Sequence, residues 1–187
     1  MSNDYTPTTP FEIIYGNEES YHRIEDIICG FEKLPADGKC GILLYGAFGT
    51  GKTTLAKMLP ECIEMGRTGN GLNMPDKFIA CQQGFNGPQV TTMLDKIVHT
   101  NSLNASGLQY IILDEVDNLS KQAQQSLKSV MNTPYAIFIL TTNNISSLRK
   151  LPRQVDRSEV ATAAGVNLGL NTTGGTLPRD SCGRYSL

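Results

Sequence analysis

The sequence lacks any apolar stretch near the roughly 18 to 20 residues that a membrane-spanning helix needs. Its opening, MSNDYTPTTP, lacks the basic-then-apolar order of a secretion signal. A cytoplasmic protein with no membrane segment is therefore expected. Runs of like charge are missing too. Sixteen Lys and Arg stand against 18 Asp and Glu, a formal net charge of -2, so the chain as a whole has no electrostatic pull toward nucleic acid. Histidine is scarce: His22 and His99 are the only two, neither with a Cys or Asp partner at ligand spacing, which argues against a metal centre built on them. The five cysteines, Cys29, Cys40, Cys62, Cys81 and Cys182, are odd in number, widely spaced and without a C-x-x-C pair. Neither a disulfide framework nor a zinc site is expected, and all five are assigned as small core residues or reduced surface thiols.

What is present suits one globular domain with at most an appendage: 187 residues, 40% hydrophobic and 18% charged. Residues 1–10 are rich in Thr and Pro and are expected to form an extended arm. From Glu18 to Phe31, the residues Tyr21, Ile24, Ile27, Ile28 and Phe31 recur at three- and four-residue steps, the period of one buried helical face. Gly41 to Tyr45 is a short apolar run that turns into a glycine-rich loop, then into a helical segment from Thr53 to Leu59 that Pro60 is expected to close. The alternation continues. Strands are expected at Lys77–Cys81, Tyr110–Leu113 and Ala136–Leu140, with helices over Gln89–His99 and after a Ser120 cap. Four apolar runs without polar alternation, separated by helices, describe a parallel sheet covered on both faces. After Asp156 the pattern fades: the last 32 residues hold five Gly and seven Ser or Thr with no helical period, so residues 156–187 are expected to be irregular.

Chemistry concentrates in two places. Gly46-Ala-Phe-Gly-Thr-Gly-Lys52-Thr53 fits G-x-x-x-x-G-K-[ST] and sits between an apolar strand and a helix, as a phosphate-cradling loop must. Glycines there let backbone N–H groups from Gly49 to Thr53 turn inward around a phosphate, the helix adds its positive end, and Lys52 reaches the terminal phosphates. The Thr53 hydroxyl is expected on a magnesium ion. Gly46, Ala47, Phe48, Gly49, Thr50, Gly51, Lys52, Thr53 and Thr54 form the expected nucleotide-contact set. Tyr110-Ile-Ile-Leu-Asp114-Glu115 supplies the second place. A carboxylate at the end of a parallel strand beside the phosphate loop can hold magnesium, which assigns Asp114, and Glu115 is placed to polarise a water for attack on the terminal phosphorus.

Taken with Glu12-Ile-Ile-Tyr-Gly-Asn-Glu18, GAFGTGKTTLAKML, IILDEVDNLSKQAQQSLKSVM and FILTTNN, these motifs resemble the AAA+ ATPase superfamily, most of all its clamp-loader branch, over roughly residues 11 to 150. The resemblance implies a P-loop NTPase core, a three-layer α/β/α arrangement over residues 11–155, acting with ATP and Mg2+. It implies that Ile14, Tyr15 and Gly16 lie against the adenine, that Asp114 and Glu115 bind magnesium and activate water, and that Asn143 senses the terminal phosphate. It also implies a homo- or hetero-oligomeric ring, with a sliding clamp and the backbone of primer-template DNA as partners. Helicase loading, other phage or plasmid replication work, and a non-hydrolysing structural subunit of a mixed ring stay open beside it.

Two departures from the family pattern stand out. Where members carry Ser-Arg-Cys, with the arginine acting as a finger in the neighbouring subunit's site, this chain has Pro152-Arg153-Gln-Val-Asp-Arg157-Ser. Arg157 is the better match and Arg153 the alternative, with two solvated surface arginines as the plain reading. The family also continues into a helical lid, for which residues 156–187 have neither the length nor the apolar period. The lid is absent, supplied by another chain, or lost through a truncated or non-native ending.

Overall fold

The computed structural model describes residues 7–35, 40–81, 86–148 and 163–168. Five parallel strands form its centre: β1 (Gly41–Gly46), β2 (Lys77–Ala80), β3 (Gln109–Asp114), β4 (Ala136–Thr142) and β5 (Ala163–Leu168), in the spatial order β2-β3-β4-β1-β5. Parallel neighbours need crossover connections, and helices α1 (Glu18–Ile28), α2 (Lys52–Thr68), α3 (Gly87–Val98) and α4 (Lys121–Val130) alternate with the strands, while α5 (Ile145–Leu148) is one short turn.

Side chains of a strand alternate between faces, and the core divides accordingly. Ile42, Leu44, Tyr110, Ile112, Ile137 and Ile139 pack with Ile24, Ile27 and Ile28 of α1 and Leu55, Leu59 and Ile63 of α2. Ile111, Leu113, Phe138 and Leu140 pack on the other side with Val90 and Leu94 of α3 and Ala123 and Leu127 of α4. The result is a three-layer α/β/α fold around a parallel sheet, as the uninterrupted apolar runs require. All seven residues of β4 are buried, whereas the edge strand β2 alternates between half-buried and exposed. Phe78 on that edge is partly covered by the Lys57 ammonium, 4.7 Å from the ring centroid.

Four local expectations are corrected. Pro60 does not close α2; the helix runs through it to Thr68, because Leu55, Ala56, Leu59 and Ile63 bury one continuous face on either side and that burial outweighs one lost backbone bond. Phe31 lies past the end of α1 and is 77% exposed. Within the stretch expected to be irregular, Ala163–Leu168 forms β5, laddered along the whole of β1 from Gly41↔Ala163 to Gly46↔Leu168. Cys29 is disulfide-bonded, while Cys40, Cys62 and Cys81 are thiols. Residues 1–6 of the expected arm lie outside the described residues; at its end Pro10 opens a 3-10 turn, is buried, and its carbonyl accepts the Tyr15 hydroxyl at 2.8 Å. Among the described residues no helical lid follows the sheet, and no helix is long and apolar enough to cross a membrane.

Close backbone approach fixes the angle between α1 and α2. A Cβ built on Gly66 of α2 would lie 1.8 Å from the carbonyl oxygen of Ile28 at the end of α1. Alanine normally favours a helix interior by about 1 kcal/mol over glycine, but backbone cannot yield as a side-chain tip does. Gly66→Ala is therefore expected to destabilise the chain by about 1 to 3 kcal/mol, read as a lower urea midpoint with an unchanged slope.

Candidate active site

The glycine-rich loop leaves β1 at Gly46 and enters α2 at Lys52. Gly49 and Gly51 adopt left-handed backbone, φ +75° and +84°, which a residue with a Cβ reaches only at a cost. Gly51 also has the Ile13 side chain close by: an added Cβ would meet Ile13 Cδ1 at 3.3 Å. The segment ahead of α1 is thereby packed against the mouth of α2.

Lys52 folds back into the loop. Its ammonium donates to Gly46 O at 3.1 Å, Ala47 O at 2.6 Å and Thr50 Oγ1 at 3.4 Å, and the Thr50 hydroxyl donates to Ala47 O at 2.9 Å. Burial lowers the Lys52 pKa, while the carboxylates of Asp117, Asp114 and Glu115 pull it back up. The first N–H groups of α2 have no carbonyl of their own helix to reach. A cation and a set of N–H donors thus converge where an anion would sit.

Across from the loop, β3 ends at Asp114. One oxygen, Asp114 Oδ1, accepts from Thr53 Oγ1 at 2.9 Å and from Thr141 Oγ1 at 2.6 Å. Because the Thr53 hydroxyl gives its hydrogen to the carboxylate, its lone pairs stay available to a cation. Hydroxyl and carboxylate oxygens are the donors that magnesium selects, with waters and phosphate oxygens completing the shell. The residues present fit that ion.

Glu115 breaks the strand geometry. It has left-handed backbone, φ 57° and ψ 52°, the only non-glycine residue with positive φ among the described residues. Such a conformation costs on the order of 1 kcal/mol or more and persists only where neighbours hold it. Here the Glu115 N–H donates to Thr141 Oγ1 at 2.9 Å, and Asn118 Nδ2 donates to Glu115 Oε2 at 3.1 Å and to Cys81 O at 3.2 Å. The twist sends Asp114 and Glu115 different ways, so two adjacent acids can serve two functions. Asp117 ties in the end of β4: its Oδ1 accepts from Thr142 Oγ1 at 3.0 Å and from the Asn143 N–H at 3.3 Å. Burial and these acids push the Cys81 thiol up to about 12, which keeps it protonated and inert at neutral pH.

The structure brings Lys52, Thr53, Asp114 and Glu115 together beyond the carboxyl ends of β1 and β3, with Asn143 just beyond β4 and half-buried. Thr54 is half-buried in the first turn of α2. Phe48 stands out at the loop tip, 76% exposed. The segment expected against the adenine divides: Ile14 is 55% exposed, but the Tyr15 ring is buried edge-on against Tyr21, centroids 5.6 Å apart. Any contact of Tyr15 with a base would run through its backbone. Arg153 and Arg157 lie outside the described residues. Sequence patterns alone did not mark Ile13, Asp117, Asn118 or Thr141; only the DEVDN and TTNN runs hinted at polar groups there.

Comparison with known proteins agrees with this geometry. The family model for the ATPase family associated with various cellular activities (AAA) matches residues 42–165. A replication factor C small subunit 2 of Pyrobaculum arsenaticum is 34% identical over 150 residues, 77% of this chain and 42% of that protein. A replication factor C small subunit 1 from the same organism is 33% identical over 77% of this chain and 41% of its own length. The chain thus spans about two fifths of these relatives. In fold it resembles a DNA polymerase III gamma subunit-related protein of Thermotoga maritima, TM-score 0.54 at 14% identity, over 82% of this chain and 46% of that one. It likewise resembles the Aeropyrum pernix ORC2 protein in its ADP form, TM-score 0.54 at 18% identity, over 89% and 50% respectively. With the family model covering most of the sheet and the phosphate loop in its expected setting, the chain belongs to the AAA family of ATPases.

Proposed function

We propose that residues 11 to about 155 form an ATPase core that binds Mg-ATP and hydrolyses it by in-line attack of water. One observation carries this: Thr53 and Asp114, 61 positions apart, share a 2.9 Å hydrogen bond beside a lysine folded into a glycine loop. In the proposed mechanism the loop N–H groups and Lys52 bind the β- and γ-phosphates, and Thr53 and Asp114 hold the magnesium ion. That ion, when bound, draws charge from the phosphate oxygens. Glu115 accepts a hydrogen bond from the attacking water, and Asn143 orients it against the terminal phosphate. These groups act by position and charge, with little covalent work to do. The backbone of Ile14, Tyr15 and Gly16 and the Ile13 side chain border the base.

The replication factor C relatives support a role in DNA replication as a clamp-loader-like subunit, and the same proposal places the chain in an oligomeric ring in the cytoplasm. A sliding clamp and primer-template DNA are the proposed partners, and Arg157 or Arg153 is the proposed finger reaching a neighbour's site. DNA contact would go to the phosphate backbone, which carries no sequence information.

The test is ATP turnover by the purified chain as its concentration is raised, with nucleotide binding measured in parallel. Specific activity that climbs with concentration supports a self-assembling ATPase that carries its own finger. Binding without turnover at any concentration assigns the finger and lid to a partner chain or to sequence beyond about residue 155, and no nucleotide binding overturns the reading.

A further inference from the structure

The Thr141 hydroxyl occupies a singular place between the two acids. It lies on β4, is 1% exposed, and touches both Asp114 Oδ1, at 2.6 Å, and the Glu115 N–H, at 2.9 Å. A hydroxyl has one hydrogen to give. The Glu115 N–H can only donate, so the hydroxyl oxygen accepts from it and its single hydrogen is committed to the Asp114 carboxylate. Both contacts are thereby fixed in direction, and one side chain holds the carboxylate of one acid and the left-handed backbone of the next.

Consider what binding of a cation changes. Asp114 Oδ1 has two hydroxyl donors, and one of them, Thr53, is itself a proposed ligand of the ion. As Thr53 adjusts to the ion, Thr141 is the donor that stays behind, since no phosphate or metal need draw it away. Partners that orient a metal-binding carboxylate usually matter nearly as much as the ligand itself.

We propose that Thr141 is a positioning residue that couples the magnesium carboxylate Asp114 to the water-activating Glu115, so that both are aimed by one buried hydroxyl. The inference rests on the ATPase reading above. Its chemistry needs an oxygen: serine would serve, whereas valine, of the same shape, would leave a carboxylate oxygen and an N–H each short of a partner.

The experiment measures binding of a non-hydrolysable ATP analogue to the full chain by calorimetry, with magnesium and with EDTA, so that no turnover is required. The wild-type ratio of the two Kd values defines the magnesium-dependent gain. In Thr141→Val that gain is expected to shrink about tenfold or more, with metal-free affinity unchanged because Lys52 and the loop are intact. Thr141→Ser should restore the gain. Thr142→Val, which removes the neighbouring buried hydroxyl that serves Asp117, should retain it. Hydrogen exchange at the Glu115 amide should quicken in Thr141→Val and not in Thr141→Ser. If valine does not fold, Thr141→Ala makes the same comparison. A gain equal to wild type in the valine or alanine variant overturns the inference alone, as does an equal loss in Thr142→Val or no rescue by serine. A wild-type chain that binds no nucleotide overturns the ATPase reading and this inference with it.

Discussion

Lys52→Ala is expected to raise the Kd for Mg-ATP by about 100-fold or more, the consequence of losing roughly 3 kcal/mol of charge-assisted contact. The ammonium already sits inside the loop, on Gly46 O and Ala47 O, so a bound phosphate would find a cation in place without a rearrangement of the chain. Folding should suffer far less than binding. Burial has lowered the Lys52 pKa, which means that its charge is kept in the fold at some cost, and alanine removes that cost along with the hydrogen bonds. Ala47 is exposed and Gly46 half-buried, so water can take up the vacated carbonyls. The melting temperature of the nucleotide-free chain should therefore move by no more than a few degrees. Arginine should not rescue binding, because a planar guanidinium cannot enter the space that a point-like ammonium fills between two loop carbonyls. Calorimetric titration beside thermal unfolding checks both halves. Unimpaired binding by a folded Lys52→Ala chain would place the phosphates elsewhere.

The loop, the carboxylate pair and the sheet class were legible in the sequence because each depends on local spacing. The glycines, Lys52 and Thr53 must follow each other at fixed intervals for backbone amides to face one anion, and buried parallel strands must be apolar throughout. What was hidden depends on residues far apart. β5 is rich in small residues, Ala163, Ala164 and Gly165 among them, and is a strand because β1 offers an open edge, a fact about Gly41–Gly46 that nothing near residue 163 announces. Pro60 misled for the opposite reason. A local rule was correct about the lost hydrogen bond but blind to the apolar face that α2 buries across it. Within the site, Thr141 and Asp117 belong to different elements, and their importance appears only when β4 is laid beside β3. Phe31 continued a helical period that the chain had already abandoned at Ile28.

Glu115→Gln is expected to separate binding from chemistry. Turnover should fall by about 10² to 10⁴, the usual worth of a positioned general base, while the Kd for Mg-ATP stays within about twofold of wild type because the substitution touches neither Lys52 nor the Thr53–Asp114 pair. The geometry favours a clean result. Glutamine keeps the length of the side chain, and its amide oxygen can still accept from Asn118 Nδ2, the partner that now lies 3.1 Å from Glu115 Oε2. The left-handed backbone is held through the Glu115 N–H and Thr141, which the change does not alter. Only the basicity of the group is removed. With Asp114 assigned to the magnesium ion, Asp117 is the next acid by sequence, but its Oδ1 is occupied by Thr142 and the Asn143 N–H, so it should not take over. Phosphate release must be measured at a chain concentration where wild type turns over, since an arginine supplied by a neighbour is worth about 10³ to 10⁵ in rate where it operates and its absence would hide the comparison. Wild-type turnover in Glu115→Gln would remove this residue from the chemistry. A matching loss of binding would instead make it a ligand of the magnesium ion, because a carboxylate in direct contact with the cation cannot be neutralised without weakening the nucleotide that the cation holds.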